Sequence, residues 1–209
     1  MLHYVIINVK DKAKKVCFTM IQKTNFPHFS EYLFINLMNT LKMHNHNPID
    51  LLSTEADVVQ WIALMEENNL LTPTQVEVLG NDSTHLSDVQ HFRDHCREHF
   101  ASNDSEANLI DVLTNTTKST PLSFKIEDNN LIPIPSEGGT KGLLSLISFQ
   151  MLLHETNGVL GKVKACENEE CLAFFVNQKG KRKWCSMEVC GNRTKAKKHY
   201  SKSKASQHT

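Results

Sequence analysis

The chain has 209 residues, of which 40% are hydrophobic and 22% are charged, which suits one main domain with an apolar core and a small appendix. No stretch approaches the ~20 apolar residues of a membrane span, and no basic region precedes the short N-terminal apolar run, so a signal peptide is not expected. The zero net charge hides an asymmetry: residues 161–209 carry 12 Lys/Arg and 4 Glu (+8), and residues 1–160 carry 11 Lys/Arg and 19 Asp/Glu (−8). The basic region predicts an anionic partner, with docking on the acidic body as the alternative.

The chain is predicted to begin with a hairpin and to continue as helices. Residues 4–9 and 16–21 are β-prone runs on either side of a polar turn, which is typical of two paired strands. Apolar residues then recur at helical spacing over residues 33–41. The Asn47-Pro48 pair is predicted to end that helix.

Two further helices have recognisable start signals. Thr54 is followed by Asp57 at the spacing of a capping box. Thr72-Pro73 is followed by Gln75, which places a cap, a proline at the first helical position and a second capping side chain in order. The helix after Thr54 carries an apolar stripe at helical spacing, formed by Val58, Trp61, Ile62 and Met65.

The remainder of the N-terminal region is predicted to be helical, with a second hairpin. Helices are expected over about residues 87–100 and 105–116, and a hairpin over residues 122–126 and 130–134. The helix predicted over residues 141–156 is apolar nearly all round, so we expect it at the centre of the core. Gly158 and Gly161 are predicted to form a hinge to the C-terminal module.

Four of the six cysteines form two C-x4-C pairs with 13 residues between the pairs. This spacing lets a hairpin bring both pairs to one ion, and four thiolates match the tetrahedral preference of zinc. Four thiolates leave zinc no open position, so the predicted zinc is structural. Two disulfides, four unrelated thiols or a catalytic zinc are the alternatives. The predicted ligands are Cys166, Cys171, Cys185 and Cys190.

The segment from Cys166 to Arg193 resembles the CGNR zinc finger, above all in Arg182-Lys183-Trp184-Cys185 and in Cys190-Gly191-Asn192-Arg193. In that family the finger lies at the C-terminus of proteins described as stress-induced transcription regulators. The resemblance implies zinc on the four cysteines and DNA binding by the finger. Members often carry Asp at the position of Asn177. The Asn in this chain leaves the metal site intact but puts a charged role at that position in doubt.

The N-terminal region is similar to the ABATE domain that precedes the finger in the same family. The similarity lies in Phe34-Ile-Asn-Leu-Met-Asn39-Thr40, in Asp50-Leu51-Leu52 and in Trp61. These short motifs are weak individually and persuasive in their order. The resemblance covers nearly the whole chain from about residue 28, so the hairpin predicted at residues 4–21 falls outside the family core.

Basic residues flank the predicted finger hairpin and continue into a predicted short helix. Two cationic clusters held by one rigid metal site suit phosphate contacts, and an Arg side chain could also reach a guanine. A solvated charge run is the alternative, and for Arg193 so is bracing of the loop. The predicted nucleic-acid-binding residues are Lys179, Lys181, Arg182, Lys183, Arg193, Lys195, Lys197 and Lys198.

Other candidate sites carry weaker signals. His91, His95 and His99 recur every four residues on one helix, but intermingled arginines disfavour a cation, so we expect surface or packing histidines. Asn36, Asn39 and Thr40 are expected to form hydrogen bonds inside the helical bundle, with a ligand pocket as the minor alternative. We find no catalytic motif, and we expect no enzyme activity.

The sequence therefore predicts a mainly helical protein with two small hairpins and a C-terminal four-cysteine zinc finger. The predicted domains are residues 1–160, in which residues 1–27 are an extension, and the finger at residues 161–203, followed by a disordered tail at residues 204–209. The function expected is that of a cytoplasmic, bacterial DNA-binding regulator, whose helical domain senses a small-molecule signal or forms a homodimer. The alternatives are a zinc-stabilised protein-interaction or RNA-binding module, and a small-molecule-binding protein or enzyme in which the finger has only a structural role.

Overall fold

The computed structural model describes residues 29–102 and 106–197. The hairpin predicted at residues 4–21, the thiol of Cys17, the basic residue Lys198 and the predicted tail at residues 204–209 lie outside the described residues. Within the described ranges, no helix has both the length and the apolar character needed to cross a membrane.

The described chain consists of helices joined by three short antiparallel hairpins, so the predicted fold class is confirmed. The helices are α1 (Leu33–Met38), α2 (Glu55–Glu67), α3 (Pro73–Leu79), α4 (Leu86–Ser102), α5 (Glu106–Ser119) and α6 (Gly139–Glu155). The strands pair in sequence order and are β1 (Leu41–His44) with β2 (Asn47–Asp50), β3 (Leu122–Glu127) with β4 (Asn130–Pro135), and β5 (Val163–Ala165) with β6 (Phe174–Val176).

Both predicted capping boxes are confirmed. The Thr54 side chain accepts a hydrogen bond from the backbone N–H of Asp57, whose carboxylate accepts in return from the Thr54 N–H. Thr72 and Gln75 make the same reciprocal pair at the start of α3. Each box satisfies N–H groups that the first helical turn leaves without partners, so these two helices begin at the positions that the sequence indicates.

The core forms around α6, as its apolar composition predicts. Leu143, Ile147 and Met151 are fully buried, and α6 contacts α1, α3, α4 and α5. The stripe of α2 is buried against the same core, and so are Val89, Phe92 and Cys96 of α4. The periodicity of these helices therefore identified the faces that pack together.

The helix predicted over residues 33–41 is wrong beyond Met38. After α1 the chain reverses into the hairpin β1–β2, whose register places Leu41 opposite Asp50 and His44 opposite Asn47. The turn between them consists of Asn45 and His46, both with positive φ, as in the tight turns that match strand twist. Asn and His tolerate this conformation better than most residues, so the chain can turn here and pair the two strands.

Asp50, the last residue of β2, pairs with a buried arginine that sequence reasoning missed. Arg93 of α4 is only 2% exposed, and its two terminal nitrogens lie 2.6 and 2.8 Å from the two oxygens of Asp50. Thr40 accepts a further hydrogen bond from Arg93, and Asp94 pairs with the remaining guanidinium nitrogen. Paired acceptors on every side compensate for the removal of this charge from water.

The apolar core extends past the predicted hinge. Val159 and Leu160 are buried next to Gly158 and Gly161, and Val163, Phe174 and Val176 belong to the same cluster as the helical core. Phe174, which lies only three residues after Cys171, thus packs into the body. The domain boundary at residue 160 stays a prediction, and the two sides of it share buried side chains.

Candidate metal centre and basic surface

The four predicted cysteine ligands lie together in space. Their Sγ atoms all lie within 4.8 Å of one another. Two of the separations are 3.7 Å, between Cys171 and Cys185, and 3.6 Å, between Cys185 and Cys190. Four sulfurs about 2.3 Å from a central zinc would lie about 3.8 Å apart, so the cluster has the dimensions of a tetrahedral thiolate site.

Local backbone structure positions each cysteine pair. Cys166 follows β5 and donates its N–H to the carbonyl of Ala173, and Cys171 donates to the carbonyl of Asn168 in a tight turn. Cys185 precedes a helical turn (Met187–Gly191) that is capped by the Ser186 side chain, and Cys190 lies within that turn. A Cβ added at Gly191 would lie 2.7 Å from the Met187 sulfur, so the end of the Met187 side chain would have to move.

Two backbone N–H groups point at the sulfurs. The N–H of Ala173 donates to the Cys171 Sγ and the N–H of Cys185 donates to the Cys166 Sγ, each at 3.5 Å. Hydrogen bonds to sulfur favour the thiolate over the thiol, because they stabilise the charged form. The finger backbone is thus arranged for anionic sulfur ligands.

The disulfide alternative does not fit this geometry. A disulfide joins two sulfurs about 2.05 Å apart, whereas none of the five cysteines in the described residues forms a disulfide. The hydrogen bond shared with Cys171 and burial raise the pKa of Cys185, and burial raises the pKa of Cys190 to about 12. A metal cation must therefore displace protons from these thiols when it binds, which makes its affinity fall as pH falls.

Arg182 braces the finger. Its guanidinium lies 4.6 Å from the centre of the Phe175 ring and donates a hydrogen bond to the carbonyl of Cys185. The Asn177 amide accepts from the Arg182 N–H and donates to its carbonyl, at 3.1 and 2.9 Å. An Asp at position 177 could not donate to that carbonyl, so the Asn in this chain has a structural role in closing the loop.

The predicted nucleic-acid-binding residues separate into two groups. Lys183 pairs with Glu167 at 3.3 Å, and Lys197 pairs with Glu170 at 3.4 Å. The members of the second group are exposed and form no ion pair with any residue that the structure describes: Lys179, Lys181, Arg193 and Lys195. Acidic residues of the finger therefore neutralise part of the basic sequence and leave a smaller cationic surface.

The junction between finger and body contains two side chains whose roles the sequence did not reveal. Asn39 accepts from the N–H of Phe174 and donates to its carbonyl, at 2.8 and 3.1 Å. Arg97 donates to the carbonyls of Met38 and Leu172, and its guanidinium lies 4.9 Å from the centre of the Phe174 ring. Sequence reasoning expected Asn39 to bond inside the bundle, but spacing gives no signal for a partner 135 residues away.

The other candidate residues lie apart from the cysteine cluster. Within the ranges described, the only group that could hold a metal is the cysteine cluster, and His91, His95 and His99 are not part of one. Asn36 bonds the backbone of Ser30, and Thr40 bonds the carbonyl of Leu37. Cys96 is buried in the core, and this burial raises the pKa of its thiol to about 12, which disfavours the thiolate form.

The small hairpin, the capped helical turn and the four clustered thiols define a metal-binding finger of the four-cysteine class. Residues 162–203 match the CGNR zinc finger family. The match covers about a fifth of the chain and includes all four cysteines and the cationic surface. No curated protein matches the chain.

Proposed function

We propose that this protein is a cytoplasmic, bacterial transcription regulator that binds DNA through its zinc finger. The observation that carries this proposal is that Lys179, Lys181, Arg193 and Lys195 are exposed on a finger whose four cysteine sulfurs cluster as metal ligands do. Cations fixed in position on a metal-held scaffold can contact successive phosphates without losing much side-chain freedom, so they suit a polyanionic partner.

Zinc is the metal that the site favours. Four thiolates select soft or borderline ions, and the sulfur separations of 3.7 and 3.6 Å are close to those of a tetrahedral zinc site. When bound, zinc would hold the two cysteine pairs together. Its coordination would be complete with protein ligands, so the proposal assigns the metal no catalytic role and the protein no enzyme activity.

For the helical body we propose the role of an ABATE domain, as in the stress-induced regulators that the sequence resembles. Two of its motif residues, Thr40 and Asp50, meet at the buried Arg93, and a third, Asn39, contacts the finger. These contacts support a body that is linked physically to the finger. A small-molecule signal or homodimer formation in the body could then alter DNA binding.

The test of the proposal is the salt dependence of duplex DNA binding, measured by fluorescence anisotropy. If all four exposed cations contact phosphates, a plot of log K against log salt should have a slope of about −3.6. Lys181→Glu should weaken binding and reduce that slope. The matched control is Lys164→Glu, an exposed lysine of β5, which should change little. A slope near zero would remove the DNA-binding proposal.

A second function is favoured by the packing of the finger into the body. Because Val163, Phe174 and Val176 belong to the main core, the metal could act as a staple of a protein-interaction module with no nucleic-acid partner. In that case metal removal would unfold the protein, while the wild-type protein would show no salt-dependent retention of DNA or RNA.

A further inference from the structure

A groove of about 510 Å³ lies between the finger and the segment that leads into α1. One wall comes from Phe29 and Tyr32, and the other comes from the finger hairpin around Lys179 and Lys181. The side chain of Gln178 donates to the Tyr32 hydroxyl at 2.9 Å, which ties the two walls together. The groove is within the usual size range for a small-ligand site, about 300–1,000 Å³.

The walls combine flat aromatic surfaces with positive charge. Phe29 is 41% exposed, whereas Phe174 and Phe175 are buried below it and form the floor. The guanidinium of Arg182 covers the Phe175 ring, and its side chain is exposed on the other side. A planar ring entering the groove could therefore stack on Phe29 or on the guanidinium plane.

The charge of the groove selects an anion. The charged residues that line the groove are three cations, Lys179, Lys181 and Arg182, and one carboxylate, Glu31. Neither lysine forms an ion pair with any residue that the structure describes. The 28 residues before Phe29 carry five Lys and one Asp, so like charge disfavours the chain's own N-terminal segment as the occupant. An external ligand with a flat ring and a negative charge fits better.

We propose that this groove binds one unpaired nucleotide of a single-stranded nucleic acid, with the base on Phe29 and Arg182 and the phosphate on Lys179 and Lys181. A base in a duplex is stacked on both faces and cannot enter such a groove without leaving the stack. Aromatic platforms beside a cationic track are the common solution for binding single strands. This inference rests on the proposed function and specifies the form of nucleic acid that the finger binds.

The experiment compares a labelled oligo-dT strand of about 12 nucleotides with a duplex of equal length, by anisotropy on the full-length protein. We expect the single strand to bind at least about five-fold more tightly, because one stacked base contributes about 1–3 kcal/mol. A single 2-aminopurine in the strand should change its fluorescence on binding, because stacking quenches it.

The variant Phe29→Ala should raise the single-strand Kd about five-fold, the lower limit for losing one stacked base, and leave duplex binding unchanged. The matched control is Phe124→Ala, a phenylalanine of β3 that is 50% exposed and does not line the groove. Replacing Lys179 and Lys181 by Gln should reduce the single-strand salt slope by about 1.4, for two lost phosphate contacts.

Two results would overturn this inference. If the duplex binds as tightly as the single strand, or if Phe29→Ala has no more effect than Phe124→Ala, the groove does not hold a base, although the DNA-binding proposal would stand. If neither strand nor duplex binds, the proposed function fails and the groove assignment fails with it.

Discussion

Cysteine has different roles in the two regions of this molecule. In the helical body, Cys96 is 2% exposed and is surrounded by apolar side chains such as Val89 and Phe92. In the finger, four cysteines turn their sulfurs toward one another, and the sulfurs of Cys166 and Cys171 accept backbone hydrogen bonds. The body buries enough apolar surface to form a core by itself, whereas a segment as short as the finger needs a metal.

The comparison also shows that the two regions are not independent. β5 and β6 place Val163, Phe174 and Val176 in the core of the body. Asn39 and Arg97 then bond the backbone on either side of Ala173, close to Cys171. Removing the metal should therefore reduce the stability of the body, and substitutions in the body should alter metal binding.

The largest effect is expected for Cys185→Ser. The substitution removes one of four thiolates, and metal binding contributes about 10–16 kcal/mol in small zinc domains at neutral pH. We expect loss of bound zinc, measured by elemental analysis, together with a lower unfolding temperature of the whole protein. Cys96→Ala is the control, since it should retain its zinc. An unchanged unfolding temperature in the zinc-free variant would show that body and finger are stabilised separately.

The next effect concerns ion pairs. Asp50→Ala should reduce the free energy of unfolding by about 3 kcal/mol, because it leaves the buried Arg93 without its main partner. Glu167→Ala breaks the exposed pair with Lys183 in the finger and should cost less than about 1 kcal/mol. Urea unfolding measures both values. Similar values for the two variants would show that burial does not distinguish the pairs.

Asn39→Ala tests the contact between the regions. It removes two hydrogen bonds from buried Phe174 backbone groups and should cost about 2 kcal/mol. It should also speed zinc transfer to a colorimetric chelator, because the Phe174 backbone follows the cysteine loop directly. The control is Asn36→Ala, which removes two equivalent bonds to Ser30 and should leave zinc transfer unchanged. Equal transfer rates in the two variants would contradict the coupling.

The smallest effect is a pH dependence from Cys96. Burial raises the pKa of its thiol to about 12, above its ordinary value of 9.0, so the unfolded chain loses this proton first. The stability associated with the neutral thiol is present below pH 9 and is lost as pH rises toward 12. At pH 10 the wild type should lose about 1.4 kcal/mol more than Cys96→Ala does, relative to pH 8. Parallel stability curves for the two proteins in urea would contradict this assignment.

Sequence patterns predicted the parts of the fold that depend on local chemistry. The capping residues Thr54 and Thr72 marked helix starts, and the apolar composition of α6 placed it in the core. The hairpin at Asn45 and His46 was missed, because helical periodicity continued through a turn whose only signal is tolerance of positive φ. Arg93 was missed because an arginine between histidines is typical of an exposed face.

The sequence by itself determined the metal centre, because ligand type and spacing are local properties and four thiols can satisfy only a few ions. It also determined that the C-terminal region is basic. Only the tertiary structure decided which of those cations remain exposed and without ion pairs, since Glu167 and Glu170 reach Lys183 and Lys197 across the finger fold. The groove beside Phe29 likewise forms between segments about 150 residues apart, because only packing in three dimensions brings their side chains together.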